Sequence, residues 1–314
     1  MSELDVLVIG EPLVELSSPL PLRNEAQLRL GFSGDALNAA AAAAAAGART
    51  ALLARIPADE LGDAMVARIA ELGIDTSALI RVAGQHGVYL THIDPAGERQ
   101  FAYARAGSAG SALAPADVAE ELIAATSVVV SSGVTGAISA TAAAAVERAG
   151  RLARRFVYDP NFRPRLTDAA SAAAALSRLA PLAELVTPSW PGEARQLLGL
   201  GPESSPREAA TAVLGLGASA VALTCGPDGV VLGMRESVEE LPATPPPDVV
   251  DQTGAGDVFT GTVAARLALG EELRAAARIA VAAAALSVQG QGGTGYLPSL
   301  AESRSAARVE EATR

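Results

Sequence analysis

Short apolar, β-branched runs alternate along the chain with longer alanine-rich stretches whose polar positions recur at helical spacing. Residues 5–9, 50–55, 127–131, 156–159, 184–187 and 220–225 read as strands, and residues 35–46, 60–72, 139–153, 168–179 and 205–216 as helices. Strands separated by helices imply βαβ units, so the expectation is an α/β fold with a mainly parallel sheet and helices on both faces. Ligands in such sheets bind outside the carboxyl ends of the strands.

One segment breaks the alternation. Residues 88–94 and 99–105 form two strand patterns joined by a Pro-Ala-Gly turn, which predicts a β-hairpin. If Asp94 and Glu98 flank the loop, Tyr89 lies opposite Tyr103 and Thr91 opposite Phe101. Period two then places Phe101, Tyr103 and Arg105 on one face with Tyr89, a set of strong ligand-contact types. The plainer reading is an edge hairpin packing its aromatics on the core. Residues 122–146 carry no charge, but seven are Ser or Thr and Gly133 and Gly136 interrupt the run. A strand, a turn and a helix fit better than a membrane span.

Composition narrows the function. Half of the 314 residues are hydrophobic and much of that share is alanine, which predicts closely packed helices of small residues. A net charge of −11 opposes nucleic-acid and anionic-membrane partners. An anionic small ligand would need local arginines or helix N-termini. One cysteine, Cys225, allows no internal disulfide, and with two histidines a Cys/His zinc site is excluded. The acidic start Met1-Ser2-Glu3-Leu4-Asp5 lacks the basic region of a signal peptide, so a cytoplasmic location is expected.

The sharpest motif is Asp251-Gln252-Thr253-Gly254-Ala255-Gly256-Asp257, followed by an apolar helix over residues 258–269. Small residues at 254–256 let backbone approach a ligand, and the free N–H groups of a helix start stabilise charge developing on a transferred phosphoryl group. Asp257, in the first turn, is placed to take a proton from a hydroxyl held there. The alternative is a glycine-rich turn with a helix-start charge. Upstream, Ser33-Gly34-Asp35-Ala36-Leu37-Asn38 opens a helix, and Asp35 and Asn38, three positions apart, can both face one polyol. Alone, Asp35 would read as an N-cap.

These two motifs resemble the two signatures of the ribokinase (PfkB) family of carbohydrate kinases, D-T-x-G-A-G-D and G-G-x-x-x-N. The resemblance covers about residues 5–298 and departs at Gln252 and Thr262. It implies a single ribokinase-like, three-layer α/β/α domain over residues 1–314, with a small β-sheet lid from about 11–34 and 86–106. It also implies Asp257 as base, Gly254, Ala255 and Gly256 as the anion hole, and Gly34, Asp35 and Asn38 on the sugar. Thr224, Gly226 and Gly229 resemble the strand-end turn near the ATP phosphates; Ser189 with Gly254 and Gly256 completes the nucleotide side. Glu193 stands where the family's glutamate acts on magnesium through water. Cofactors implied are ATP, Mg2+ and, in some members, K+; a homodimer or higher homo-oligomer through the hairpin is expected.

Residues 103–113, with Tyr103-Ala104-Arg105-Ala106-Gly107-Ser108, resemble the lid segment of the 2-keto-3-deoxygluconate kinases, and Asp159-Pro160-Asn161-Phe162-Arg163 resembles their D-x-N-x-R pattern. That subgroup implies a sugar-acid substrate whose 6-hydroxyl is phosphorylated, with Tyr89, Tyr103 and Asn161 at the sugar. Arg105 and Arg163 could clamp its carboxylate with charge-assisted bonds. Fructokinase, or a kinase for another keto sugar, is the alternative. A dinucleotide-binding oxidoreductase is disfavoured because Gly10-Glu11-Pro12 after the first strand is not G-x-G-x-x-G.

Overall fold

The computed structural model describes residues 3–312 except 236 and 247, without the side chains of 309–312. The first two residues of the acidic start lie outside that set. In chain order the strands are β1 (Leu4–Ile9), β2 (Leu13–Ser18), β3 (Arg29–Ser33), β4 (Thr50–Pro57), β5 (Leu79–Val82), β6 (Val88–Ile93), β7 (Arg99–Ala104), β8 (Thr126–Ser132), β9 (Phe156–Asp159), β10 (Leu185–Val186), β11 (Ala220–Thr224), β12 (Val230–Met234) and β13 (Ser237–Leu241). The helices are α1 (Asp35–Ala45), α2 (Glu60–Glu71), α3 (Glu120–Ala124), α4 (Gly133–Ala137), α5 (Ala140–Leu152), α6 (Ala169–Leu179), α7 (Gly192–Leu198), α8 (Pro206–Gly215), α9 (Ala255–Ala268), α10 (Leu273–Ser287) and α11 (Leu300–Ala312).

Nine strands form one sheet in the order β13-β12-β11-β10-β9-β8-β1-β4-β5. From β5 to β11 neighbours run parallel, and β12 alone runs against the rest, antiparallel to both β11 and β13. Strand periodicity explains the three layers. On β1, Val6 and Val8 point into one core with α1, α9 and α10, while Leu7 and Ile9 point into the other with α5, α6 and α8. Strands buried on both faces read as continuous apolar runs, which is why β1, β4 and β8 were legible from sequence.

The alanine-rich helices pack by close approach. An added Cβ on Gly261 of α9 would sit 2.0 Å from the Ala39 carbonyl oxygen of α1, so these two backbones nearly touch. The small residue the contact needs is at 261, not at the neighbouring departure Thr262; Gln252 is exposed. The contact fixes the two helix starts that carry the sequence motifs. No helix among the described residues is long and apolar enough to cross a membrane.

A second sheet, β3-β2-β6-β7, stands apart from the first. The β6–β7 hairpin has the expected register, Tyr89 opposite Tyr103 and Thr91 opposite Phe101. Strands β2 and β3, which the hydrophobic pattern did not mark, complete this sheet: β2 runs parallel to β6 and antiparallel to β3. Strand β7 is an edge, paired only with β6.

Candidate active site

A cleft opens where the carboxyl ends of β1, β8 and β9 meet the N-termini of α1 and α9; it is lined by Asp35, Ser132, Asp159, Asn161, Asp257 and Thr260. Asp257 sits in the first turn of α9, as its motif predicted. Its N-cap, Gly254, has φ +83, and a side chain there would meet the Gly293 Cα at 2.8 Å, so both conformation and space demand glycine. An added Cβ on Gly256 would meet nothing within 4 Å, so that face of the turn is open. Helix-start N–H groups such as those of Gly256 and Asp257 have no intrahelical acceptor and face anions well. The Ala255 N–H is turned back to the Gln252 carbonyl at 3.3 Å and is the less free donor.

Asp257 is buried and accepts hydrogen bonds from Asn38 Nδ2 (2.8 Å) and Asn161 Nδ2 (3.1 Å). Burial raises its pKa to about 7 and the negative Asp35 adds to the rise, while Asn38, Arg163 and Asn161 oppose it. A carboxylate tuned near neutrality is suited to general-base work.

Asp35 is not a cap: Gly34 holds the N-cap position and Asp35 lies in the first turn, accepting a bond from Ser132 Oγ. Asn38, expected to share a polyol with Asp35, is engaged otherwise. Its Oδ1 accepts from Ser33 Oγ at 3.0 Å and its Nδ2 donates to Asp257, so it orients the carboxylate. The reason is the close packing of α1 on α9, which turns Asn38 toward the other helix. Asn161, at φ +42 beyond β9, holds the second carboxylate oxygen of Asp257 and anchors its own N–H on Asp159 Oδ1 at 3.0 Å.

Asp159 and Glu193 add two more buried carboxyls. Burial, with Glu193 and Asp257 nearby, pushes Asp159 well above the usual carboxylate range. Burial also raises Glu193, against donors from Phe162 N (2.5 Å), Ser189 N (2.6 Å) and Ser189 Oγ (2.9 Å). No cluster of three or more His, Cys, Asp or Glu among the described residues forms a direct metal cage. With both its oxygens taken by donors, Glu193 fits an ion held mainly by phosphate and water.

The arginines divide. Arg163 is exposed at the cleft, donates to the Phe162 carbonyl at 3.2 Å and makes no ion pair among the described residues. Arg105 departs from the expected clamp. Strand β7 ends at Ala104, and the chain turns inward, burying Arg105 in an ion pair with Glu11 at 2.6 Å. Its Nε donates to the same carboxylate at 2.9 Å, and Ser108 Oγ donates to the other oxygen. It is therefore no free cation beside Tyr89, Phe101 and Tyr103. Those three rings do cluster, with centroids 6.2–6.5 Å apart. The Tyr89 hydroxyl donates to Glu15 of β2.

On the far side, Ser189 and Thr224 bridge two strand ends, with the Trp190 N–H on the Thr224 carbonyl at 2.8 Å. The Gly226–Gly229 turn links β11 to β12, and Gly229 is demanded by packing, since an added Cβ would lie 2.1 Å from the Leu241 carbonyl oxygen. Sequence reasoning missed Arg99, which pairs with Asp251 and donates to Thr253 Oγ1 at 2.8 Å, and Arg165, which donates to the Phe101 carbonyl. Neither lies in a motif; only the fold brings Arg99 to Asp251 and Thr253, and Arg165 to the small sheet.

A buried carboxyl held near neutrality, set beside helix-start donors in a cleft at strand ends, suits the movement of a phosphoryl group to a hydroxyl. The chain matches the pfkB family carbohydrate kinases over residues 4–300 and belongs to that family. It is thus a phosphotransferase acting on a sugar hydroxyl. It is 33% identical to the 2-dehydro-3-deoxygluconokinase of Thermoproteus tenax over 94% of this chain and 92% of the relative. Among solved structures, a PfkB protein from Polaromonas sp. JS666 superposes with a TM-score of 0.84 at 28% identity, covering 96% of this chain and 99% of that one. A putative ribokinase II from E. coli, in complex with ATP and Mg2+, superposes with a TM-score of 0.85 at 24% identity, covering 98% and 100%.

Proposed function

We propose that the protein transfers the γ-phosphoryl group of ATP to the 6-hydroxyl of 2-keto-3-deoxygluconate, the sugar acid also called 2-dehydro-3-deoxygluconate. The observation that carries the reading is Asp257, buried, held by Asn38 and Asn161, with a pKa near 7 at the open start of α9. The sugar oxygen attacks the γ-phosphorus, the bond to the bridging oxygen of ADP breaks, and Asp257 takes the hydroxyl proton. The N–H groups of the Gly254–Asp257 turn hold the transferring oxygens. Asp35 positions the sugar, with Tyr89 and Tyr103 covering it. Arg163 meets the carboxylate, while Thr224 and the Gly226–Gly229 turn lie along the phosphates. Glu193 would hold magnesium through water, and the ion would supply neutralisation of the phosphate charge.

One observation favours the alternative, a kinase for fructose or another neutral keto sugar: the Glu11 carboxylate already neutralises Arg105. An ADP-release assay over acidic and neutral keto sugars decides between them. The proposed reading expects the acid to be the better substrate by at least tenfold, and a preference for fructose would overturn it. Exchange of potassium for a bulky organic cation in the same assay tests the expected monovalent-ion dependence. The open edge of β7 supports a homodimer through the small sheet, measurable by sedimentation. A cytoplasmic location is checked by cell fractionation.

A further inference from the structure

Arg99 opens β7 at the far end of the small sheet and belongs to no sequence motif. Its Nη1 pairs with Asp251 Oδ1 and also donates to Thr253 Oγ1 at 2.8 Å. Asp251 is a knot of three segments. It accepts the Thr253 N–H at 2.9 Å and the Gly292 N–H at 2.8 Å, and its own N–H donates to the Val288 carbonyl at 2.9 Å. Thr253 immediately precedes Gly254, which packs on Gly293 and starts the helix carrying Asp257. One guanidinium on the small sheet therefore holds Asp251 and Thr253, the two residues that lead into the turn that builds the anion hole. Glu15 of β2 lies over the same glycine-rich run, within 3.2 Å of where a Gly292 Cβ would sit.

We propose that Arg99 is a positioning residue that couples closure of the small sheet to assembly of the phosphoryl-binding turn; the inference rests on the kinase reading. With the sheet lifted, Arg99 leaves, and Asp251 keeps only the Thr253 and Gly292 N–H donors and the Thr253 hydroxyl, so neither residue is tied to the small sheet any longer. The turn is then complete only under a closed lid, which joins efficient transfer to a bound sugar and keeps water-driven ATP loss low. A solvated surface pair would have no such effect, but the Asp251 side chain is 2% exposed, so salt screens the contact little.

The test compares wild type, Arg99→Met and Arg99→Lys by steady-state kinetics, thermal melting and amide hydrogen exchange at Thr253 and Gly292. Arg99→Met should lower kcat about 10- to 100-fold, the range for one charge-assisted bond, with KM for ATP within about twofold, and by more than any loss of melting temperature accounts for. Lysine should restore part of the loss, and exchange at both amides should quicken in Arg99→Met. A kcat within about twofold of wild type, or a loss that follows melting alone, would overturn the coupling. If wild type phosphorylates no sugar, the kinase reading fails; quickened exchange would then still support the Arg99 anchor, and unchanged exchange would refute it.

Discussion

Replacing Asp257 by asparagine should nearly abolish turnover and at the same time stabilise the fold. A carboxyl that ordinarily titrates at 3.8 is held at about 7, chiefly by burial and then by the charge of Asp35. Between those values the folded chain keeps a proton that the unfolded chain has released, so stability falls as pH rises through the window. Above it, an ionised Asp257 costs the fold about 4 kcal/mol, from 1.36 kcal/mol for each unit of pKa. That is a large part of a typical domain's net stability of about 5–15 kcal/mol. Asparagine keeps the shape, still accepts from one neighbouring amide, and removes the charge. In urea unfolding, Asp257→Asn should match wild type near pH 4 and gain steadily, reaching up to about 4 kcal/mol by pH 8. The same variant should lose about 10²–10⁴-fold in kcat. A stability difference that stays flat with pH would mean the carboxyl does not titrate near neutrality in the folded chain.

Other substitutions separate the site's parts. Asp35→Ala should raise KM for the sugar far more than for ATP; equal losses, or a fall in melting temperature alone, would refute its role at the sugar. Arg163→Ala should cut kcat/KM for the sugar acid by about 10- to 150-fold and spare neutral sugars, from the loss of one charge-assisted bond. Arg105→Ala should instead destabilise the protein by about 3–5 kcal/mol in urea unfolding, because it strands the buried Glu11 carboxylate. Cys225 is buried, and burial pushes its thiol up to about 11, so thiol reagents at pH 7.5 should react only after unfolding.

The catalytic segments were legible because their chemistry is local. Glycine at a left-handed N-cap, small residues around it and an acid in the first turn lie within four positions, and α9 starts where they require. Strands β1, β4 and β8 were legible because burial on both faces makes them uniformly apolar. Strand β13 reads Ser-Val-Glu-Glu-Leu and β3 reads Arg-Leu-Gly-Phe-Ser; they are edge strands with half-exposed faces, so tertiary pairing decided them. Arg105 was placed on the face of Tyr89 by carrying period two one residue past the end of β7, where the strand has already stopped and the side chain pairs with Glu11. The contact of Arg99 with Asp251 spans 152 positions, and only the folding of the small sheet over the cleft brings them together.

The central claim is that Asp257 works as a base tuned to neutrality, and the pH dependence of kcat/KM for 2-keto-3-deoxygluconate tests it most directly. The rate should climb about tenfold per pH unit below the inflection, bend near about 7 and level off above it. Asp257→Asn should lack that limb. A profile flat from pH 5.5 to 8.5, or an Asp257→Asn variant that keeps the wild-type curve, would contradict the account.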